Sequence, residues 1–301
     1  MDWNQLLSPK RLGVSATALQ KRDVGSSFDA DVHRIVFAGC FRRLSRKSQV
    51  HPLAPNDHLH TRLTHSLEVA AVGLTLGKCL SETMRSHLPK NVIPNQLGVI
   101  VEAACLAHDL GNPPFGHAGE SAISHWFEHE GSEFLEPLGT EQKKDVSHFD
   151  GNAQGFRVLT QTDNHLFGGG IRLTLATLGA FLKYPWTSKE STETGKFGAF
   201  LSEEAVLSDV ASQLGLSRKP NMKWAIHPLA HLVEAADDIC YSITDLEDGV
   251  ELAILRFEEV SELLLSVLDS ETRKEVERSF ERPEWFRVNF TRLEESCGVS
   301  P

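Results

Sequence analysis

The stretch that constrains this chain most is a run from Leu97 to Leu106, apolar apart from Gly98 and Glu102, that leads into the pair His108-Asp109. Its length is that of a buried helix, and Gly111 followed by Pro113 and Pro114 stops it. An ionised carboxylate at the end of a buried helix costs several kcal/mol unless a positive charge compensates it. Where imidazoles stand beside such a carboxylate, a divalent metal is the usual solution. The pair therefore predicts a helix packed on all sides and a metal site at its end.

A chain of 301 residues can bury a core in one large domain or two small ones. Its 30 basic and 41 acidic residues leave a net charge of −11, which argues against coating nucleic acid or an anionic membrane by bulk charge. The five cysteines (Cys40, Cys79, Cys105, Cys240 and Cys297) form no CxxC pair. Cys79, Cys105 and Cys240 fall in helical patterns and read as small core residues, a usage that fits a reducing cytoplasm. The start, Met-Asp-Trp-Asn-Gln, has no apolar signal core, and no stretch approaches a membrane span. The expectation is a soluble cytoplasmic protein with no membrane partner.

Nearly every periodic segment is helical, so the fold class is all-α. Val32, Ile35, Val36, Cys40 and Leu44 predict one helix over 29–44, and Val69, Val72 and Leu76 a second over 64–80 capped by Thr64. The third is the 97–109 helix. Others are expected from His117, over 155–162, over 173–182, and over 228–248 with Pro228 in the first turn and Gly249 at the stop. The polar, Ser/Thr-rich stretch 183–196 reads as a surface loop that covers a site.

Two more metal candidates join the pair. His65 lies on the apolar face of its helix; for such a residue alone, a core histidine bonded to a carbonyl is the commoner arrangement. In the late helix, Asp237, Tyr241 and Asp245 repeat at i, i+4 and i+8 and share one face, opposite Ile239, Ile243 and Leu246. A solvated acidic face is the competing reading there. Two imidazoles (His65, His108) and two carboxylates (Asp109, Asp237) suit Mn, Mg, Co, Ni or Fe with open positions for water and substrate.

The order of these motifs resembles the HD-domain phosphohydrolases: an upstream His, a His-Asp pair and a downstream Asp. Longer stretches resemble the deoxyguanosine triphosphate triphosphohydrolase (dGTPase) branch. They are Phe-Arg-Arg-Leu-Ser-Arg-Lys-Ser-Gln-Val (41–50), Thr-Arg-Leu-Thr-His-Ser-Leu-Glu-Val (61–69) and Ala-His-Asp-Leu-Gly-Asn-Pro-Pro-Phe-Gly-His-Ala-Gly-Glu (107–120). Segments 149–157, 174–185 and 233–242 continue the likeness. The metal aspartate of that family is followed by Tyr at four and Asp at eight residues, which selects Asp237; Asp238 would point about 100° away. The resemblance implies an HD domain over 1–250, then over 251–301 the start of a C-terminal helical region that is shortened relative to the family. Relatives use that region for the substrate pocket and for subunit contacts.

The resemblance further implies hydrolysis of a dNTP, dGTP first among them, to deoxynucleoside and inorganic triphosphate. His117 is the candidate general acid, at a helix start where backbone N–H groups favour phosphate. Glu120, one turn on, can hold its imidazole. By the same resemblance Arg62 contacts phosphate, Gln49 and Asp245 hold the sugar 3′-hydroxyl, and Tyr241 packs on the 2′ carbon. Lys183 and Tyr184 add phosphate and sugar contacts. A homo-oligomer and a nucleotide or single-stranded DNA effector are the implied partners. Two other functions share the metal ligands: another HD-domain nucleotide phosphohydrolase, and a dNTP-binding regulatory subunit that has lost turnover.

Overall fold

The computed structural model describes residues 2–13, 27–52, 58–90, 92–93, 95–161, 170–191, 195–219 and 223–280. Its elements are helices, and β pairing among the described residues is confined to isolated bridges such as Ser48 with Thr61. In chain order they are α1 (Trp3–Leu6), α2 (Ser27–Val36), α3 (Gly39–Arg43), α4 (Arg62–Thr83), α5 (Gln96–Ala107), α6 (His117–Glu128) and α7 (Thr140–Ser147). Then come α8 (Gly151–Thr160), α9 (Leu175–Phe181), α10 (Glu204–Gln213), α11 (Ala230–Glu251), α12 (Phe257–Ser266) and α13 (Ser270–Phe280). They fall into two compact units, Met1–Asp245 and Leu246–Pro301. No helix of the described residues is long and apolar enough to cross a membrane.

The core of the first unit is built around α5. Leu97, Ile100, Val101, Ala103, Ala104, Cys105 and Ala107 have no exposed surface, so this helix is enclosed except along a half-buried stripe at Gln96, Val99 and Glu102. Helix α4 runs antiparallel along it, with α2 and α9 on its other sides. The α4–α5 seam is made without side chains at its tightest point: a Cβ on Gly77 would lie 2.6 Å from the Gly98 Cα. Only glycine permits that approach. In the second unit, the Ile254 and Leu255 N–H groups both return to the Gly249 carbonyl (2.9 and 3.0 Å), ending α11 before α12 begins.

Several expected boundaries move for local reasons. The single helix over 29–44 is two, because the chain leaves helical geometry at Ala38 and restarts at Gly39. The cap of α4 is Thr61, not Thr64: the Thr61 hydroxyl accepts the Thr64 N–H, and the Thr64 hydroxyl accepts the Thr61 N–H, a reciprocal capping box. Helix α7 has one apolar residue, too few for a period to be read, whereas α10 carries Val206, Leu207, Val210 and Ala211 at a helical spacing that the sequence reading missed. Cys105 and Cys240 are buried, but Cys79 is exposed on the outer face of α4. On α11 the residues Ile239 and Ile243, placed opposite the Asp237 face, are more than 40% exposed; the buried stripe is Val233, Ala236, Cys240 and Thr244. The 183–196 stretch is a surface loop only in part: Lys189 and Gly195 are exposed and Lys183, Tyr184 and Lys196 line a cavity, but Thr187 and Ser188 are 1% exposed; residues 192–194 lie outside the described set.

Ahead of α11, His227 ties the first unit to its N-terminus. Its Nε2 bonds the Leu6 carbonyl at 3.1 Å, and its Nδ1 accepts the Leu229 N–H at 3.2 Å. Burial holds the ring neutral and pushes its pKa from 6.5 down to about 4, against a small opposing pull from the Leu6 carbonyl. Between those values the unfolded chain binds more protons than the folded one. Stability is therefore full above the unfolded pKa and falls as pH drops through this window. A loss of about 2 kcal/mol between pH 7 and pH 5 is expected from this residue. Urea denaturation at the two pH values should show it, and His227→Gln should flatten the slope; an unchanged slope would contradict the assignment.

Candidate functional site

The antiparallel register of α4 and α5 sets the first turn of one beside the last turn of the other. His65, one turn into α4, and His108, at the end of α5, meet edge-on with ring centroids 5.5 Å apart. Asp237 of α11 closes the group: its Oδ1 lies 2.9 Å from His65 Nε2 and 3.5 Å from His108 Nε2. One ligand atom from each of the three residues lies within 4.8 Å of the others. His108 is oriented from behind, its Nδ1 donating to the Cys105 carbonyl at 2.7 Å, which turns the Nε2 lone pair toward the cluster. His65 has no exposed surface, and its Nδ1 has no partner. Burial works against the Asp237 anion, but the His65 bond, His108 and Lys183 outweigh it and hold the carboxyl below its usual range. Two imidazoles and an ionised carboxylate converging on one point are a donor set that fits a first-row divalent ion. Asp238 is exposed on the other side of the helix.

Asp109 stands at the edge of this cluster, its Oδ1 3.8 Å from His108 Nε2. It is 3% exposed, and both oxygens lie 2.8 Å from Arg62 Nη1, with Asn112 Nδ2 also donating to Oδ1. This changes the part expected of Arg62. A buried carboxylate must be neutralised, and removing one partner of such a pair costs about 3–5 kcal/mol. Arg62, itself 7% exposed, is turned inward to do so and does not line the cavity where phosphate would sit.

That cavity, about 240 Å³, is lined by His108, Asp109, His117, Glu120, Lys183 and Asp237, with Tyr184 among the rest. It is smaller than the roughly 300–1,000 Å³ of sites that enclose a whole small ligand. His117 stands on its rim with an 85% exposed side chain, and its Nδ1 donates to Glu120 Oε2 at 2.8 Å. Phe115 and Gly116 take positive φ values (67° and 54°) just before it, turning the chain so that α6 starts at His117. Glu120 is 6% exposed, and its other oxygen accepts the Gly151 N–H at 2.7 Å. Burial opposes its charge, yet the bonds from His117, Gly151 and Lys196 prevail and lower its pKa.

Lys183 pairs with Glu234 at 3.0 Å; burial opposes its charge, but Glu234 and the neighbouring acids raise its pKa overall, so it stays cationic beside the cavity. Five expected residues do not line this cavity: Arg62, His65, Gln49, Tyr241 and Asp245. Gln49 is held by its backbone, its N–H bonding the His60 carbonyl at 3.2 Å, while its Oε1 is buried without a partner. Tyr241 is 53% exposed. It bonds Asp245, whose negative charge and hydrogen bond raise the tyrosine pKa. Lining residues that the sequence reading missed are Asn112, Asn152, Glu234 and Lys196. The first three sit inside the motif segments, where their polarity is a usable signal; Lys196 is the last residue of the 183–196 stretch read as covering a site.

Residues 62–169 match the HD domain model. A Pseudomonas aeruginosa protein named deoxyguanosinetriphosphate triphosphohydrolase-like protein is 52% identical over 89% of this chain and 61% of its own length. A Synechocystis protein of the same name is 43% identical over 89% of this chain and 64% of its own. The Yersinia enterocolitica deoxyguanosinetriphosphate triphosphohydrolase is 34% identical over 86% of this chain and 57% of its own. The chain is an HD-domain protein. It belongs to the family of the deoxyguanosinetriphosphate triphosphohydrolases and the proteins named as like them. It spans about three fifths of the length of the relatives it matches.

The position of Asp237 yields a direct test. Elemental analysis of purified protein loaded with Mn²⁺ should find one ion per chain, lost in Asp237→Ala and kept in Asp238→Ala. Full occupancy in the first variant would remove Asp237 from the ligand set.

Proposed function

We propose that this chain hydrolyses deoxynucleoside triphosphates, dGTP first among them, to deoxynucleoside and inorganic triphosphate. The observation that carries the reading is an exposed imidazole, held by a buried carboxylate, on the rim of the cavity that the His65–His108–Asp237 cluster borders. The cluster, with Asp109 beside it, would hold a divalent ion that supplies Lewis-acid polarisation of a phosphoryl oxygen. The other groups act on the two ends of the bond that breaks. With Nδ1–H committed to Glu120, the imidazolium form of His117 presents Nε2–H as its outward donor and returns to neutral imidazole on giving up that proton. A proton delivered there to the departing 5′-oxygen spares the alkoxide that would otherwise form. Lys183 supplies positive charge across the cavity for the phosphate chain.

The names of the relatives support the substrate class, and the three-fifths span makes the whole activity a proposal for this chain. Chromatographic analysis of products from all four dNTPs and rNTPs, with Mn²⁺ present, should show triphosphate released in one step from dNTPs. Stepwise loss of phosphate would identify a general nucleotidase, and nucleotide binding without turnover a regulatory subunit. His117→Ala should retain metal while kcat falls by roughly 10²–10⁴.

Sugar selection is assigned to Gln49, Tyr241 and Asp245 by the family resemblance, Tyr241 and Asp245 following Asp237 at four and eight residues along α11. A tyrosine ring against the 2′ carbon leaves no room for a hydroxyl, and a carboxylate bonded to the 3′-hydroxyl penalises its loss. Tyr241→Ala should therefore narrow the preference for dGTP over GTP, and Asp245→Ala should bring dGTP down toward its dideoxy analogue. Competition assays measure both; equal use of dGTP and GTP by the unaltered chain would sink the assignment.

A further inference from the structure

We infer that Lys196 is a positioning residue for the His117–Glu120 pair, a role that rests on the reading of His117 as proton donor. The geometry begins with how little else holds His117. Its side chain is 85% exposed, and the Glu120 bond is what fixes the ring among its rotamers. The aim of Nε2 thus depends on the orientation of one carboxylate. That carboxylate is held at both ends: Oε1 by the Gly151 N–H at 2.7 Å, and Oε2, the oxygen that bonds His117, also by Lys196 Nζ at 3.1 Å. The ammonium is also a permanent compensating charge for a side chain only 8% exposed.

This contact differs from an incidental surface ion pair, because its two partners are anchored to neighbouring residues. Asp150 caps α8 by accepting the Asn152 N–H at 2.8 Å on Oδ1, while its Oδ2 accepts the Phe197 N–H at 3.2 Å. The next residue, Gly151, gives its N–H to Glu120. The Lys196 carbonyl is pinned in turn by Trp186 Nε1 at 2.8 Å. The N-terminus of α8 therefore fixes the backbone beside Lys196 and the carboxylate it reaches, and the separation between them is set by packing.

A misplacement of about 1 Å in a reacting group costs on the order of a hundredfold in rate. Lys196→Met should accordingly lower kcat by about tenfold to a hundredfold with KM nearly unchanged, and Lys196→Arg should restore most of it. In the His117→Ala background Lys196→Met should cause no further loss. A readout independent of turnover is the side-chain ¹⁵N–¹H correlation spectrum of the nucleotide-free protein. There the His117 Nδ1–H signal should be sharp in the unaltered chain and in Lys196→Arg, and broadened by exchange in Lys196→Met. A raised KM with kcat preserved would make Lys196 a phosphate contact and overturn the inference, as would an unchanged His117 signal. Near-normal kcat in His117→Ala would overturn the proton-donor reading instead, which the spectrum does not test.

Discussion

The contact on which the site depends is the glycine seam between α4 and α5. Where Gly77 faces Gly98 the two backbones approach too closely for any side chain, and one turn along Gly73 lies against Cys105. Contacts this tight admit one register, because sliding either helix would drive a side chain into backbone. Since the helices are antiparallel, that register sets the start of α4 against the end of α5. His65 and His108 are neighbours for this reason, and α11 needs to add only Asp237.

Burial of charge around this seam follows one pattern. Asp109 is neutralised by Arg62, and Asp31, with no exposed surface, is neutralised by Arg11 and accepts bonds from the Thr174 and Thr177 hydroxyls. Each carboxylate joins segments far apart in the chain, and an apolar replacement for one partner would strand the other. The Arg11 group clamps the N-terminal segment to the start of α9, just ahead of Lys183 and Tyr184. The Arg62 group locks the turn after α5. Both leave the cavity lined by groups whose positions the core determines.

Helix α8 links that turn to the proton-donor pair. A Cβ on Gly111 would fall 2.0 Å from the Gly151 carbonyl oxygen and the Gly155 nitrogen, so the N-terminus of α8 lies directly on the turn that follows His108-Asp109. From there the Gly151 N–H reaches Glu120. The metal candidates and the proton donor are thus two ends of one rigid path of turn, helix terminus and carboxylate.

The sequence by itself determined what depends on near neighbours. The mostly apolar run of α5, the His-Asp pair at its end, the Glu120 bond one turn beyond His117, and the face of α11 that carries Asp237 all follow from helical spacing. The all-α class follows from the same periods. Tertiary structure alone decided how separate segments share charge. Asp237 meets His65 across 172 residues, and Lys196 meets Glu120 across 76. Arg62 looks like a free cation in the sequence, yet it is taken by Asp109 because burial of that carboxylate demands it. Ile239 and Ile243 lie opposite the Asp237 face on a helical wheel, yet smaller residues face inward because α11 must come close enough for Asp237 to reach two imidazoles. Local spacing says which side chains share a face; the close packing of glycine-lined backbones determines which faces meet.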